Sequence, residues 1–171
     1  MHTKKESGPT GDAVAANVKR LREEDNLTFT QLSQLLELRA GWEISATALR
    51  RIEEGDRRVS VDDLAALAVA FVTSPATLLM PHHTGAGAKT KATGTGPQNA
   101  SALWYWLTAR GPVKYRDAET RRREGGHRFI TEFWLKSWPV WEHDNMAQEL
   151  RNRKHLMEDR RRRSRERQGG K

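Results

Sequence analysis

The chain of 171 residues contains no cysteine. That excludes a disulfide framework and any metal site built on thiolates. No apolar run approaches the roughly 18 residues that a membrane span needs, and the opening MHTKKESGPTGD lacks the apolar segment of a secretory leader. Neither a span nor a signal peptide is expected, so the chain reads as cytoplasmic, with no membrane partner. Histidine numbers six. His82 and His83 stand side by side without further ligands at useful spacing, so no metal and no cofactor are expected. Clusters of His, Asp and Glu that could serve a nuclease are missing, which argues against an enzyme.

What the chain has in excess is positive charge. It carries 30 Lys/Arg against 22 Asp/Glu, a net of +8, with a pI near 10.2 and a mean hydropathy of −0.81. Such a balance points to a polyanionic partner. The excess is unevenly placed. Residues 1–110 hold 13 basic and 12 acidic residues, whereas residues 111–171 hold 17 and 10. The segment 12–81 holds 8 and 11, and is therefore net negative.

Residues 1–11 lack periodicity and read as a flexible arm. From Asp12, a plausible N-cap, Val14, Val18 and Leu21 recur at helical spacing, which predicts a first helix over 13–24. Asn26 suits the left-handed residue that would end it. Thr28 caps a second helix with Leu32, Leu35 and Leu36 on one face. A third starts at Ser45, buries Ala48, Leu49 and Ile52, and stops at Gly55. Ser60 and Asp63 form a capping-box pattern ahead of a fourth, striped by Leu64, Leu67, Ala68 and Phe71. In SPATLLMP, Ser74 caps and Pro75 occupies the first position of a fifth helix. No strand is expected in 12–81, and the whole chain reads as all-α. The stretch 82–100, rich in Gly, Thr, Ala and Lys, reads as a flexible linker. Residues 101–171 read as a helical region. SALWYWLTARG is a capped helix with Leu103, Trp104 and Leu107 inward, and Phe129, Ile130, Phe133, Trp134 and Trp138 share a second helical face. Residues 144–168 are helical in propensity but almost wholly polar, anchored by Met146, Leu150 and Met157.

The run VAANVKRLREEDNLTFTQLSQLL followed by ISATALRRIEEGDRRVSVDDLAALAVAFVTSPATLL resembles the helix-turn-helix family of lambda repressor and Cro, often called XRE, of the type met in phages and actinobacteria. IEEG followed by a capped apolar helix carries most of the resemblance. The resemblance implies a five-helix lambda-repressor-like domain over 12–81, with recognition helix 45–54 in the major groove of double-stranded DNA. It also implies which residues touch DNA. Ser45, Ala46, Thr47 and Arg50 would read bases, Arg50 bidentately at guanine and Ala46 against a thymine methyl. Thr28, Thr30, Arg51, Arg57 and Arg58 would contact phosphates. This chain departs from the family in two places. Phe29 stands where a polar residue, often Gln, usually follows Thr28, and ELRAGWE lengthens the connection between the two central helices.

The function implied is transcription regulation, as a repressor and most simply as a homodimer. A monomer with a second DNA-contacting region is the variant, for which Arg160, Arg161, Arg162 and Arg163 are candidates. Some phage repressors of this family carry a β-rich self-cleaving Ser–Lys peptidase, and residues 101–171 offer neither strands nor such a dyad. The alternative is an antitoxin or other interaction protein whose C-terminal half folds on a partner protein. The Trp-rich C-terminal region is the candidate for dimerisation, second DNA contact or partner binding.

Overall fold

The computed structural model describes residues 7–83, 85–113, 127–152, 154, 155 and 158. Contacts divide the chain into two compact units, with the division between Thr108 and Ala109.

The first unit opens with five helices: α1 (Pro9–Glu24), α2 (Phe29–Ala40), α3 (Ala46–Glu53), α4 (Val61–Ala70) and α5 (Pro75–Leu79). Their starts follow from side-chain caps. Thr28 and Ser60 close capping boxes with Gln31 and Asp63, while Ser45 and Ser74 accept from the backbone amides of Ala48 and Thr77. Their ends follow from left-handed residues. Asn26 ends α1, Gly41 ends α2, Gly55 follows α3 and Val72 follows α4, all with positive φ. The apolar stripes meet in one core of Val18, Leu32, Leu36, Leu49, Ile52, Leu67 and Leu78. Burying each such side chain stabilises the unit by about 1.5–3 kcal/mol. Polar groups close the remaining gaps. The buried Asn17 amide donates to the carbonyls of Thr77, Leu78 and Met80, which a helix as short as α5 leaves open.

Helix α1 starts earlier than expected. Its first turn begins at Pro9, after Gly8, because proline fits the first helical position and needs no amide partner. The expected arm therefore ends before residue 9. Helix α2 absorbs the lengthened connection by running to Ala40 and turning at Gly41, whose φ is 60°. Ser33 Oγ then donates to the Ile44 carbonyl at 2.7 Å, fastening the approach to α3.

The stretch 82–100 was expected to be a linker in an all-α chain, and here the structure differs. Strands β1 (Lys89–Thr90) and β2 (Gln98–Asn99) pair antiparallel and lead directly into α6 (Ala100–Leu107). Within the hairpin, Thr95 Oγ1 accepts from the Ala92 amide, and Gly94 and Gly96 take positive φ. Ala92, Thr95 and Ala100 are buried, and the Thr93 amide donates to Thr10 Oγ1 of α1 at 2.8 Å. Helix α6 packs on α5 and on both strands, so Leu103 and Trp104 belong with the first unit. Its N-cap is Asn99, ahead of the expected start.

The second unit contains α7 (His127–Ser137), a 3-10 turn (Val140–Asn145) and α8, residues 146–152. Ile130, Trp134 and Met146 are buried there, with Phe133, Trp138 and Leu150 packed against them. The Trp134 and Trp138 rings stack at 4.7 Å between centroids, and Trp138 Nε1 donates to the Ala109 carbonyl. The aromatic residues beyond 100 thus split between the units rather than forming one core. Met157 lies outside the described side chains.

Candidate nucleic-acid interface

Helix α3 is eight residues long, about 12 Å from end to end at 1.5 Å per residue. Leu49 and Ile52 bury its inner face in the core, and Ser45, Thr47, Arg50 and Arg51 are exposed on the rest, with Ala46 half-buried. A helix seated so firmly on one side presents a short, polar, partly cationic face on the other. The Ser45 hydroxyl oxygen accepts from the Ala48 amide at 3.2 Å, which leaves its proton available for donation.

The start of α2 lies beside that face. The Phe29 ring has the guanidinium carbon of Arg50 5.4 Å from its centroid and that of Arg22 at 4.4 Å. A phenyl ring cannot donate to phosphate, but it can hold an arginine by its π face, worth about 0.5–1 kcal/mol at an exposed site. The departure from the family pattern at Phe29 thus supplies a platform for Arg50.

Arg22 does more than stack. Its Nε and Nη2 donate to the two carboxylate oxygens of Glu53 at 2.6 and 2.9 Å, and its Nη1 donates to the Leu27 carbonyl at 3.0 Å. The hydrogen bond with Glu53 raises the Arg22 pKa above its ordinary value; burial opposes that, and attraction to Glu53 and Glu23 adds to it. The Glu53 side chain is only 5% exposed. Its negative charge is therefore neutralised inside the domain and does not face an incoming phosphate. Glu54 is exposed.

The expected phosphate-contacting residues are placed differently from one another. Thr30 and Arg51 are exposed, as is Arg58. Thr28 is engaged in its capping box: its hydroxyl contacts Gln31 Oε1 at 2.9 Å and accepts from the Gln31 amide. Arg57 turns toward α4, donating from Nη2 to Asp63 Oδ2 at 2.9 Å. Asp63, 4% exposed, also accepts from Trp42 Nε1 at 3.0 Å and from the Ser60 amide at 3.3 Å. One carboxylate thereby ties the connection before α3, the connection after it and the cap of α4. Arg160, Arg161, Arg162 and Arg163 lie outside the described residues.

Phe29, Arg22, Gln31 and Asp63 are the residues that sequence reading left without a role at this surface. The sequence marks Asp63 as a cap partner alone, and the capping pattern of Thr28 with Gln31 is legible in the same way. The Arg22–Glu53 pair joins residues 31 apart, and no local pattern announces it.

Residues 13–79 match the family described as a helix-turn-helix domain. The match spans most of α1 and runs through α5, stopping before the hairpin. No curated protein and no solved structure matches the chain. A helix-turn-helix domain is a DNA-binding element, and the match brings DNA binding and a regulatory role to the first unit. Among the described residues no helix is long and apolar enough to cross a membrane.

Proposed function

We propose that the chain is a sequence-specific, double-stranded DNA-binding repressor of the lambda-repressor and Cro type, acting by occupying a promoter and without catalysis. The observation that supports this most is the outer face of α3, where Arg50 is held over Phe29 on a helix whose other face is core. In this reading Ser45, Ala46, Thr47 and Arg50 meet base edges in the major groove. Thr30, Arg51 and Arg58 meet phosphates. Thr28 and Arg57, already bound to Gln31 and Asp63, shape the flanking backbone that receives them. A homodimer places two α3 helices about 34 Å apart on successive major grooves.

Selection of bound sequences from random duplex DNA by the purified chain tests this directly. A palindromic motif is expected of a dimer and a long asymmetric motif of a monomer with a second contact. Failure to enrich any motif refutes sequence-specific binding. A second reading, a regulator whose C-terminal half docks on a partner protein, draws on the second unit, where Trp141 is 74% exposed and Val140 82%. Its mark would be an equimolar complex with another protein that forms through residues 109–171.

A further inference from the structure

Helix α4 is apolar on both of its sides. Its sequence, VDDLAALAVA, has no polar residue after Asp63, and the apolar run continues through Phe71 and Val72. One side is accounted for by the core, where Ala66, Leu67, Ala68, Ala70 and Phe71 are buried. The other side is not. Val61, Ala65 and Val69 recur along it at every fourth position and are exposed, and Val72 follows one turn later. Val61 is 82% exposed, Val69 51% and Val72 80%. A helix that is hydrophobic all round is ordinarily buried all round. Val72 also takes a φ of 51°, which a β-branched residue adopts only at a cost, and it is too exposed for packing within the chain to offset that cost.

The charges along one edge of this stripe indicate what covers it. Asp62 is exposed in the first turn of α4. At about 100° per residue, it lies on the edge nearer Asp63 and Ala70. Those are the α4 residues that Trp42 Nε1 and Arg39 Nη1 reach from the end of α2 and the turn after it. Arg39 is exposed and donates to the Ala70 carbonyl at 2.7 Å. The edge therefore carries a carboxylate at its start and a guanidinium at its end. A two-fold axis across the stripe sets a second copy of α4 antiparallel and keeps like edges on the same side. Each Asp62 then meets the Arg39 of the other copy.

We infer that the exposed stripe of α4 is the contact between two copies of this chain. Val61 of one copy meets Val72 of the other, and Ala65 meets Val69, the alanine letting the two helix axes approach closely. The stripe is only about 17 Å long. Its four short side chains bury well under the roughly 800 Å² per partner of a stable interface, so the free dimer is a weak one. This deepens the homodimer part of the proposed function and rests on that part alone, since the contact needs no DNA.

Sedimentation equilibrium of the full chain without DNA, from micromolar to millimolar concentration, measures this. A monomer–dimer equilibrium is expected. Val69→Lys puts an ammonium into the seam and should weaken association by about tenfold or more. Lysine is a good helix former and suits the last turn of a helix, so the fold should survive. Asp62→Lys and Arg39→Glu should each weaken the dimer roughly threefold, and the chain carrying both should associate like the original, because opposite charges face each other again. Arg39→Glu also gives up its bond to Ala70, so Val69→Lys decides the matter should that chain unfold by circular dichroism. A chain that stays monomeric at millimolar concentration overturns the inference and leaves the stripe to residues 109–171 or to another protein. Association indifferent to Val69→Lys overturns it by placing the contact elsewhere. A folded charge-swapped chain no better than the single variants overturns the antiparallel pairing. A dimer that selects no DNA motif would leave this contact standing, so the two readings fail separately.

Discussion

At the scale of single residues, the proposed interface turns on how Arg50 is aimed. A guanidinium on a free four-bond stem loses rotamer freedom when it binds a base, and stacking on Phe29 removes part of that loss beforehand. Arg50→Ala should therefore cost roughly 1–3 kcal/mol at one base position of the selected motif and little elsewhere. Phe29→Leu, which keeps the apolar bulk, should reproduce about 0.5–1 kcal/mol of the same position-specific loss. Fluorescence anisotropy on the motif and its single-base variants separates the two outcomes, and uniform weakening across sequences would move Arg50 to the backbone. Arg22 acts by a different route. Removing it leaves the Glu53 carboxylate buried without its partner, so Arg22→Ala should lower stability by about 3 kcal/mol in denaturant unfolding. The sequence made Arg50 legible because the residue sits on the outward side of an amphipathic helix. It could not make the Phe29 platform legible, since that depends on how α2 and α3 cross.

At the scale of elements, helix boundaries were legible wherever a side chain enforces them. After α1, the Leu27 amide reaches back to the Arg22 carbonyl; after α3, Asp56 reaches Arg51; after α4, Thr73 reaches Ala68. Each is the same C-terminal closure, with Asn26, Gly55 and Val72 in the left-handed slot. Asn and Gly suit that slot. Valine does not, because its branched Cβ crowds the backbone there at a cost of about 1–2 kcal/mol. Val72 is 80% exposed, so packing does not compensate, and Val72→Asn should raise stability by about 1 kcal/mol, readable as a shift in the denaturant midpoint. The hairpin was illegible for the opposite reason. It is anchored by Ala92, Thr95 and Ala100, small residues whose burial leaves no apolar periodicity, so the segment reads from composition as a linker.

For the whole molecule, charge is unevenly divided along the chain. Residues 12–81 carry 8 basic and 11 acidic residues, while 111–171 carry 17 and 10. Affinity for a duplex grows with each phosphate neutralised, and log K falls against log salt by about 0.9 per contact. If the C-terminal region joins the contact, deleting 144–171 should flatten that slope by about 0.9 for each phosphate lost, while the selected motif stays the same. An unchanged slope in anisotropy titrations across KCl concentration would exclude residues 144–171 from DNA contact.

The Asp63 carboxylate gives the molecule a further property. Trp42 approaches it from before α3 and Arg57 from after, so both ends of that helix are moored to a point on α4, away from the residues that α3 exposes. Substitutions on the exposed side can then change what is read without loosening how the reader is held. Asp63→Ala should release both moorings and the reciprocal half of the α4 capping box, leaving the Ser60 cap in place, at about 3 kcal/mol for the three hydrogen bonds lost, with blue-to-red movement of Trp42 emission as its optical sign. If α3 reads bases as proposed, a lineage carrying this arrangement can explore new target sequences by point mutation at Ala46, Thr47 or Arg50 and remain folded at every step.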